Sequence, residues 1–406
     1  MLEFLNRLVA SLKTYKDKGP FRLVPLMKLY CFILIILYFK MGLLDYTCYN
    51  PFDKTSNRLC DFGPHYAASV LARNGEAPHA YNFAKLQPVG ETVTGQKITR
   101  FAWSYPPTFL LIVAPLSFLP YSFSLIIWLF ITCAGYLFIL YRIAPDRLTF
   151  WLAIAFPATV VNLNHGQNGF LFAALLGGAL LLLNQRPLVA GILLGLFTCK
   201  PQFAILLPIA LVGGRRWSVL GSMIVTIMVM IGLSAIFFGW ETWMAFFQNA
   251  LLAKEWLEIG VVPWFKMPTP FVSARMAGLS INVSYTLQAL VTMGMICIGY
   301  YVCSQRKEPE VSNSILVLTI LLATPHAFVY DLTILAIPIA YLSWQGHTKG
   351  WLLSEKIILA AVWHMPLFSM FIALFTHLQI GPIILIMCLI YALWRMSRVV
   401  RVRTDC

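Results

Sequence analysis

Charge is what this sequence has least of. Asp, Glu, Lys and Arg make up 11% of its 406 residues, against 59% apolar residues and a mean hydropathy of +0.76. A soluble domain carries about 25% charged residues, so water is excluded as the main solvent. No cleavable leader is expected either: the first 22 residues are largely polar and basic, and the apolar stretch after them reaches a full span's length. Internal repeats and low-complexity tracts are absent, which removes support for the inverted-repeat architecture of secondary transporters. Neither a Walker-type glycine loop, nor metal-ligand spacing, nor a nucleophilic serine context occurs.

What is present is a series of apolar runs from about residue 25 to residue 397. The net charge of +14 would point to nucleic acid in a soluble protein, but here the basic residues collect in short segments beside apolar runs and report topology instead. Arg7, Lys13, Lys16, Lys18 and Arg22 precede the first run, and Arg395, Arg398, Arg401 and Arg403 follow the last. Positive-inside orientation then predicts cytoplasmic termini and an even number of spans. The pattern predicts twelve: 24–44, 104–119, 121–142, 148–163, 169–184, 187–212, 217–239, 284–304, 311–325, 327–343, 354–376 and 379–397. The expected fold class is an all-α polytopic membrane protein with one membrane-embedded domain over 1–406. Arg215, Arg216, Arg306, Lys307 and Lys349 fall inside as the rule requires, whereas Arg142, Arg147 and Arg186 fall outside against it. The run 187–212 is also long enough to be two short spans.

Two segments are too long and polar to be connections, 45–103 and 240–283, and both emerge outside in this count. Tyr66, Ala67, Val70 and Leu71 keep helical spacing after Pro64, and Trp240, Trp243, Phe246 and Phe247 cluster in the second loop. Each set predicts a short interfacial helix. Cys48 and Cys60 lie in the first loop, where an oxidising compartment would let them form a disulfide; the other reading is two free thiols. Asp61 opens the predicted helix of that loop, where a carboxylate can serve as a cap.

The stretch Asp61-Phe62-Gly63-Pro64-His65-Tyr66-Ala67-Ala68 is followed by Tyr105-Pro106-Pro107, Ala114-Pro115-Leu116 and Asn162-Leu163-Asn164-His165-Gly166-Gln167-Asn168. Ala190-Gly191-Ile192, Leu196, Lys200-Pro201, Thr324-Pro325-His326 and Tyr330-Asp331 complete the series. In order and spacing these elements resemble glycosyltransferase family 87, the bacterial polyprenyl-phosphate-dependent mannosyltransferases of the GT-C superfamily. The resemblance implies a GT-C fold in which an acid of the first external loop acts as base on the acceptor hydroxyl, and Asp61 is the matching position. It implies transfer, with inversion, of a sugar, mannose in this family, from a polyprenyl-phosphate donor to a hydroxyl of a lipid-linked or periplasmic glycan. A sugar phosphate leaves as a stabilised anion, so one carboxylate suffices and no general acid need protonate it.

The departing phosphate calls for cations, for which Lys200, Lys266 and Arg275 are candidates. Lys200 interrupts the apolar stretch Leu193 to Leu211, where an unpaired lysine costs about 2.5–3.5 kcal/mol, so it either serves the site or snorkels to an interface. The second site position falls on His326, or else on Tyr330 or Asp331. Tyr66, Tyr105, Gln167 and Asn168 are further candidates for binding substrate or supporting the site, with an aromatic-belt role the alternative for Trp103 and Tyr105. His165, Gln167 and Asn168, with Gly166 and Gly169, make a polar break of the kind that lines cavities. The span count places that break inside the cell, so either the count slips between residues 100 and 170 or the motif is a structural turn. Glu255 and Glu258 belong to an acceptor site or face water. No tightly bound cofactor, no required metal and no nucleic acid are expected. The expected partners are membrane lipids, the donor and a glycan or glycolipid acceptor, in a bacterial inner membrane with the site facing outward. The competing reading is a transporter or flippase of lipid-linked saccharides, with Lys200, His326 and Asp331 marking its path.

Overall fold

The computed structural model describes residues 23–44, 61–95, 102–305, 308–352 and 354–404, so Cys48 and Cys60 lie outside the described residues. The described chain is helical, and no strand occurs in it. In chain order it forms α1 (Leu23–Leu44), α2 (Phe62–Arg73), a 3-10 turn at Ala77–Tyr81, α3 (Phe83–Thr94) and α4 (Pro107–Val113) with a 3-10 extension over Ala114–Phe118. There follow α5 (Tyr121–Ile143), α6 (Arg147–Ile154), α7 (Pro157–His165), α8 (Gly169–Leu182), α9 (Pro187–Phe197), α10 (Pro201–Ala204) and α11 (Leu206–Gly213). The remainder is α12 (Trp217–Phe238), α13 (Trp240–Glu258), α14 (Pro270–Met276), α15 (Ile281–Gln305), α16 (Pro309–Ala323), a 3-10 helix Val329–Leu335, α17 (Ala336–Lys349), α18 (Glu355–Thr376) and α19 (Gly381–Thr404).

Five described helices are long and apolar enough to cross a membrane: α5, α12, α15, α18 and the part of α19 up to Arg398. Their outward faces are hydrocarbon, with Phe130 73%, Ile236 77% and Phe375 78% exposed. Such faces suit a lipid solvent and would aggregate in water. The chain is therefore membrane-embedded. The other apolar stretches, Pro25–Leu37 within α1 among them, are shorter, and proline opens six of the short segments, α4, α7, α9, α10, α14 and α16, where its missing N–H is no loss.

Two predicted spans are corrected by this path. Segment 104–119 does not run through the bundle, because both its ends lie against α2. The Tyr105 ring is 5.3 Å from that of His65, the Tyr66 hydroxyl donates to Leu119 O at 2.7 Å, and Arg73 donates to Ser117 O. Pro106, Pro107 and Pro115 limit it to two short turns, although its hydropathy matches that of a span. Segment 187–212 folds back on itself at Lys200. α9 has 11 residues, about 16 Å of helix. Arg216, just beyond α11, donates to Leu183 O at 3.1 Å and Asn184 Oδ1 at 2.8 Å, so the hairpin opens at the end where α8 stops. With both corrections, Arg142, Arg147 and Arg186 fall at the same end of the bundle as Arg216.

The first-loop helix also differs from expectation. α2 has no wet face: Phe62, His65, Tyr66, Ala67, Ala68, Ser69, Leu71 and Ala72 are all buried, enclosed by α3 and the Ala77–Tyr81 and Ala114–Phe118 turns. By contrast α13 exposes Trp240, Met244, Phe247 and Leu251, a stripe at helical spacing suited to an interface, while Trp243 is buried and donates to Ser234 Oγ at 3.1 Å.

Candidate active site

Asp61 ends the segment before α2, but its carboxylate makes no capping bond. Within the first turn His65 Nδ1–H donates to the Asp61 backbone oxygen at 3.0 Å. That tautomer leaves Nε2 to accept from Asn168 Nδ2 at 3.2 Å. Burial pushes the His65 imidazole down to about 4, so it is neutral near pH 7 and acts as a strut between the first loop and α8.

Released from capping, the Asp61 carboxylate faces His165, with Oδ2 3.2 Å from Nδ1. It is 40% exposed at the side chain, His165 16%. Burial alone would raise its pKa, but the hydrogen bonds of His165 and Gln167 and the charge of Lys266 outweigh that and hold it below the usual carboxylate value. The anion is thus ionised, oriented and accessible.

His165 reaches Asp61 because α7 stops there. Gly166 takes the left-handed conformation (φ 62°) that reverses the chain, and the Asn162 side chain accepts from Gly169 N at 2.8 Å. A Cβ on Gly169 would lie 2.4 Å from Tyr330 O, so only glycine lets this turn press onto the Val329–Leu335 helix. Of the two readings of the polar break, the slip in the span count is the one realised: His165 shares an end of the bundle with Asp61.

Beneath this pair is a closed one. Lys200, at the tip of the α9–α11 hairpin, is ion-paired to Asp331, and each residue is 2% exposed. The lysine therefore neither snorkels nor stands unpaired. Its ammonium lies 4.9 Å from the Phe172 ring centroid, 5.4 Å from Tyr330 and 5.8 Å from Tyr105, which screen it from solvent. The other Asp331 oxygen accepts from Phe328 N at 3.0 Å. Burial raises the pKa of the Tyr105 hydroxyl, and the charges of Asp331 and Asp61 add to that, so Tyr105 lies in the field of both acids.

The remaining candidates divide between site and scaffold. Gln167, Asn168, Tyr105 and Lys266 join the Asp61 cluster. Tyr66 ties α2 to Leu119. Arg275 donates to Leu279 O at 2.7 Å and Glu258 O at 3.5 Å and lies over the Trp264 ring, holding the second loop together. Glu258 accepts from the Tyr285 hydroxyl at 2.8 Å. His326 lies edge-on to Phe328 at 5.2 Å, in the field of Asp331 and Lys200, and no described contact joins it to Asp61. Trp103 is buried rather than belt-forming. Among the described residues no three His, Cys, Asp or Glu side chains gather as metal ligands. Two site members escaped sequence reasoning: His65, and His165 as the partner of Asp61. The available signal was the run of arginines on the wrong side of the span count.

A family model described as glycosyltransferase family 87 matches residues 103–325. That range contains His165, Gln167, Asn168, Lys200, Lys266 and Arg275 but stops short of Asp61, His326, Tyr330 and Asp331. Comparison with curated proteins and with solved structures returns no match.

Proposed function

The chain belongs to glycosyltransferase family 87, and from that premise we propose an inverting transferase that moves mannose from a polyprenyl-phosphate carrier to a hydroxyl of a lipid-linked or periplasmic glycan. The observation that carries this reading is the Asp61 carboxylate: free of capping, 40% exposed, and 3.2 Å from His165. Asp61 takes the proton of the acceptor hydroxyl as that oxygen attacks C1 of the sugar. The C1–O bond to phosphate breaks on the opposite face, and the prenyl phosphate departs with the electron pair. His165 and Gln167 position the base. Lys266 is the cation for the phosphate, since its charge already acts on Asp61 whereas Lys200 is neutralised by Asp331. No cofactor or metal is part of this proposal.

The proposed setting is a bacterial inner membrane with the Asp61 end outward and both termini cytoplasmic. Of the twelve predicted segments, 104–119 stays outside and 187–212 becomes a re-entrant hairpin, which leaves ten crossings. Arg142, Arg147, Arg186, Arg215 and Arg216 then all lie inside, which supports the orientation.

The test is transfer by purified protein in vesicles, using polyprenyl-phosphate mannose labelled in the sugar and a lipid-linked glycan acceptor. Label should appear in the glycan with inverted anomeric configuration. Label that stays on the carrier while the intact lipid-linked sugar crosses the bilayer would replace the transferase with a flippase.

A further inference from the structure

At the end of the bundle opposite Asp61, the hairpin, α8, α12, α15 and α16 enclose a cavity of about 520 Å³. Arg215, Arg216 and Asn184 stand at its mouth, and Leu194, Ala210 and Val302 line its depth. None of the described residues lining it is acidic. Helix ends of both signs meet there, so their dipoles offset, and Arg215 and Arg216 are the charged side chains among the described residues that line it. Arg216 is fixed by its bonds to Leu183 O and Asn184 Oδ1. Arg215 is exposed and takes a left-handed backbone (φ 49°).

We propose that this cavity binds an anionic glycerophospholipid, its phosphate on Arg215 and Arg216 and one acyl chain in the apolar depth. The volume is that of a small-molecule site, and the division into a cationic, amide-bearing mouth and an aliphatic interior matches a lipid's two ends. Trp217, 60% exposed beside the arginines, suits the headgroup level. The site lies away from the Asp61 cluster and does not depend on the transfer reaction.

Native mass spectrometry of the full chain in detergent, with dioleoylphosphatidylglycerol against dioleoylphosphatidylcholine, tests the assignment. Retention of phosphatidylglycerol should exceed that of phosphatidylcholine at least tenfold. Arg215→Asn, which tolerates the left-handed backbone, and Ser218→Trp, which fills the mouth, should each lower that retention about tenfold without changing the lipid-free melting temperature. Equal retention of the two lipids, or full retention by both variants, would overturn the proposal. So would displacement of phosphatidylglycerol by an equal concentration of undecaprenyl phosphate, which would give the cavity to the carrier instead.

Discussion

Asp61 and Asp331 each face a nitrogen base from a distant part of the chain, but the Asp61 side chain is 40% exposed and that of Asp331 only 3%. Asp331 is saturated, with one oxygen on the Lys200 ammonium and the other on the Phe328 amide. Asp61 declines the capping bond that its position offers and keeps an accessible face. The far end of the bundle repeats the closed pattern. There Arg395 donates to both Glu355 oxygens at 2.7 and 2.8 Å and to Gln345 at 2.6 Å, all three residues buried. A charge that is matched and dry holds helices in place, whereas one that is oriented and wet is available to react.

Breaking the closed pair should have the largest effect. Lys200→Met strands a carboxylate at the hairpin tip and should lower stability by about 3–5 kcal/mol, read as melting in detergent. Lys200→Met combined with Asp331→Leu should recover most of it, because an apolar pair of similar volume tolerates burial. If the single variant melts like the parent, the pair is not structural.

The strut between the two regions gives the next effect. Burial lowers the His65 imidazole from its ordinary value of 6.5 to about 4 in the fold. The unfolded chain therefore binds more protons between these values, and the stability due to neutral His65 is whole above about 6.5 and lost as pH falls toward about 4. The loss amounts to about 3 kcal/mol. His65→Gln should flatten that part of a stability–pH curve, and an unchanged slope would show that His65 is not the group responsible.

The smallest effect sharpens the open side. His165→Gln should slow transfer roughly tenfold, a positioning loss rather than the removal of the base. It should also move the acid limb of the rate profile to higher pH, because a hydrogen bond that holds the Asp61 pKa down is gone. An acid limb that stays in place would separate His165 from Asp61.

How much of this was legible in the sequence depended on the range of the interaction. The long apolar runs that became α5, α12, α15, α18 and α19 declared themselves by length and hydropathy, whereas Asp61 stood out from the other loop acids only by its place at a predicted helix start and by the family resemblance. Segment 104–119 misled because hydropathy does not register where a chain turns. Its prolines fold it along α2, and the single missed reversal put His165 on the wrong side. The fold-back of 187–212 offsets that reversal, so the even span number expected from the flanking basic residues is unaffected by the two changes. Lys200 and Asp331 were each conspicuous as buried charges, but they are 131 residues apart, and no periodicity links such positions. The carboxylate that does not cap was beyond any linear reading, since it turns to His165 and Gln167, more than a hundred residues along the chain.

The most direct test is Asp61→Asn, assayed for mannose transfer and for melting in the same preparation. With the base removed from a site whose scaffold lies elsewhere, turnover should fall by about 10²–10⁴ while donor binding and melting stay near those of the parent. Transfer at the parental rate by a correctly folded Asp61→Asn protein would contradict the account.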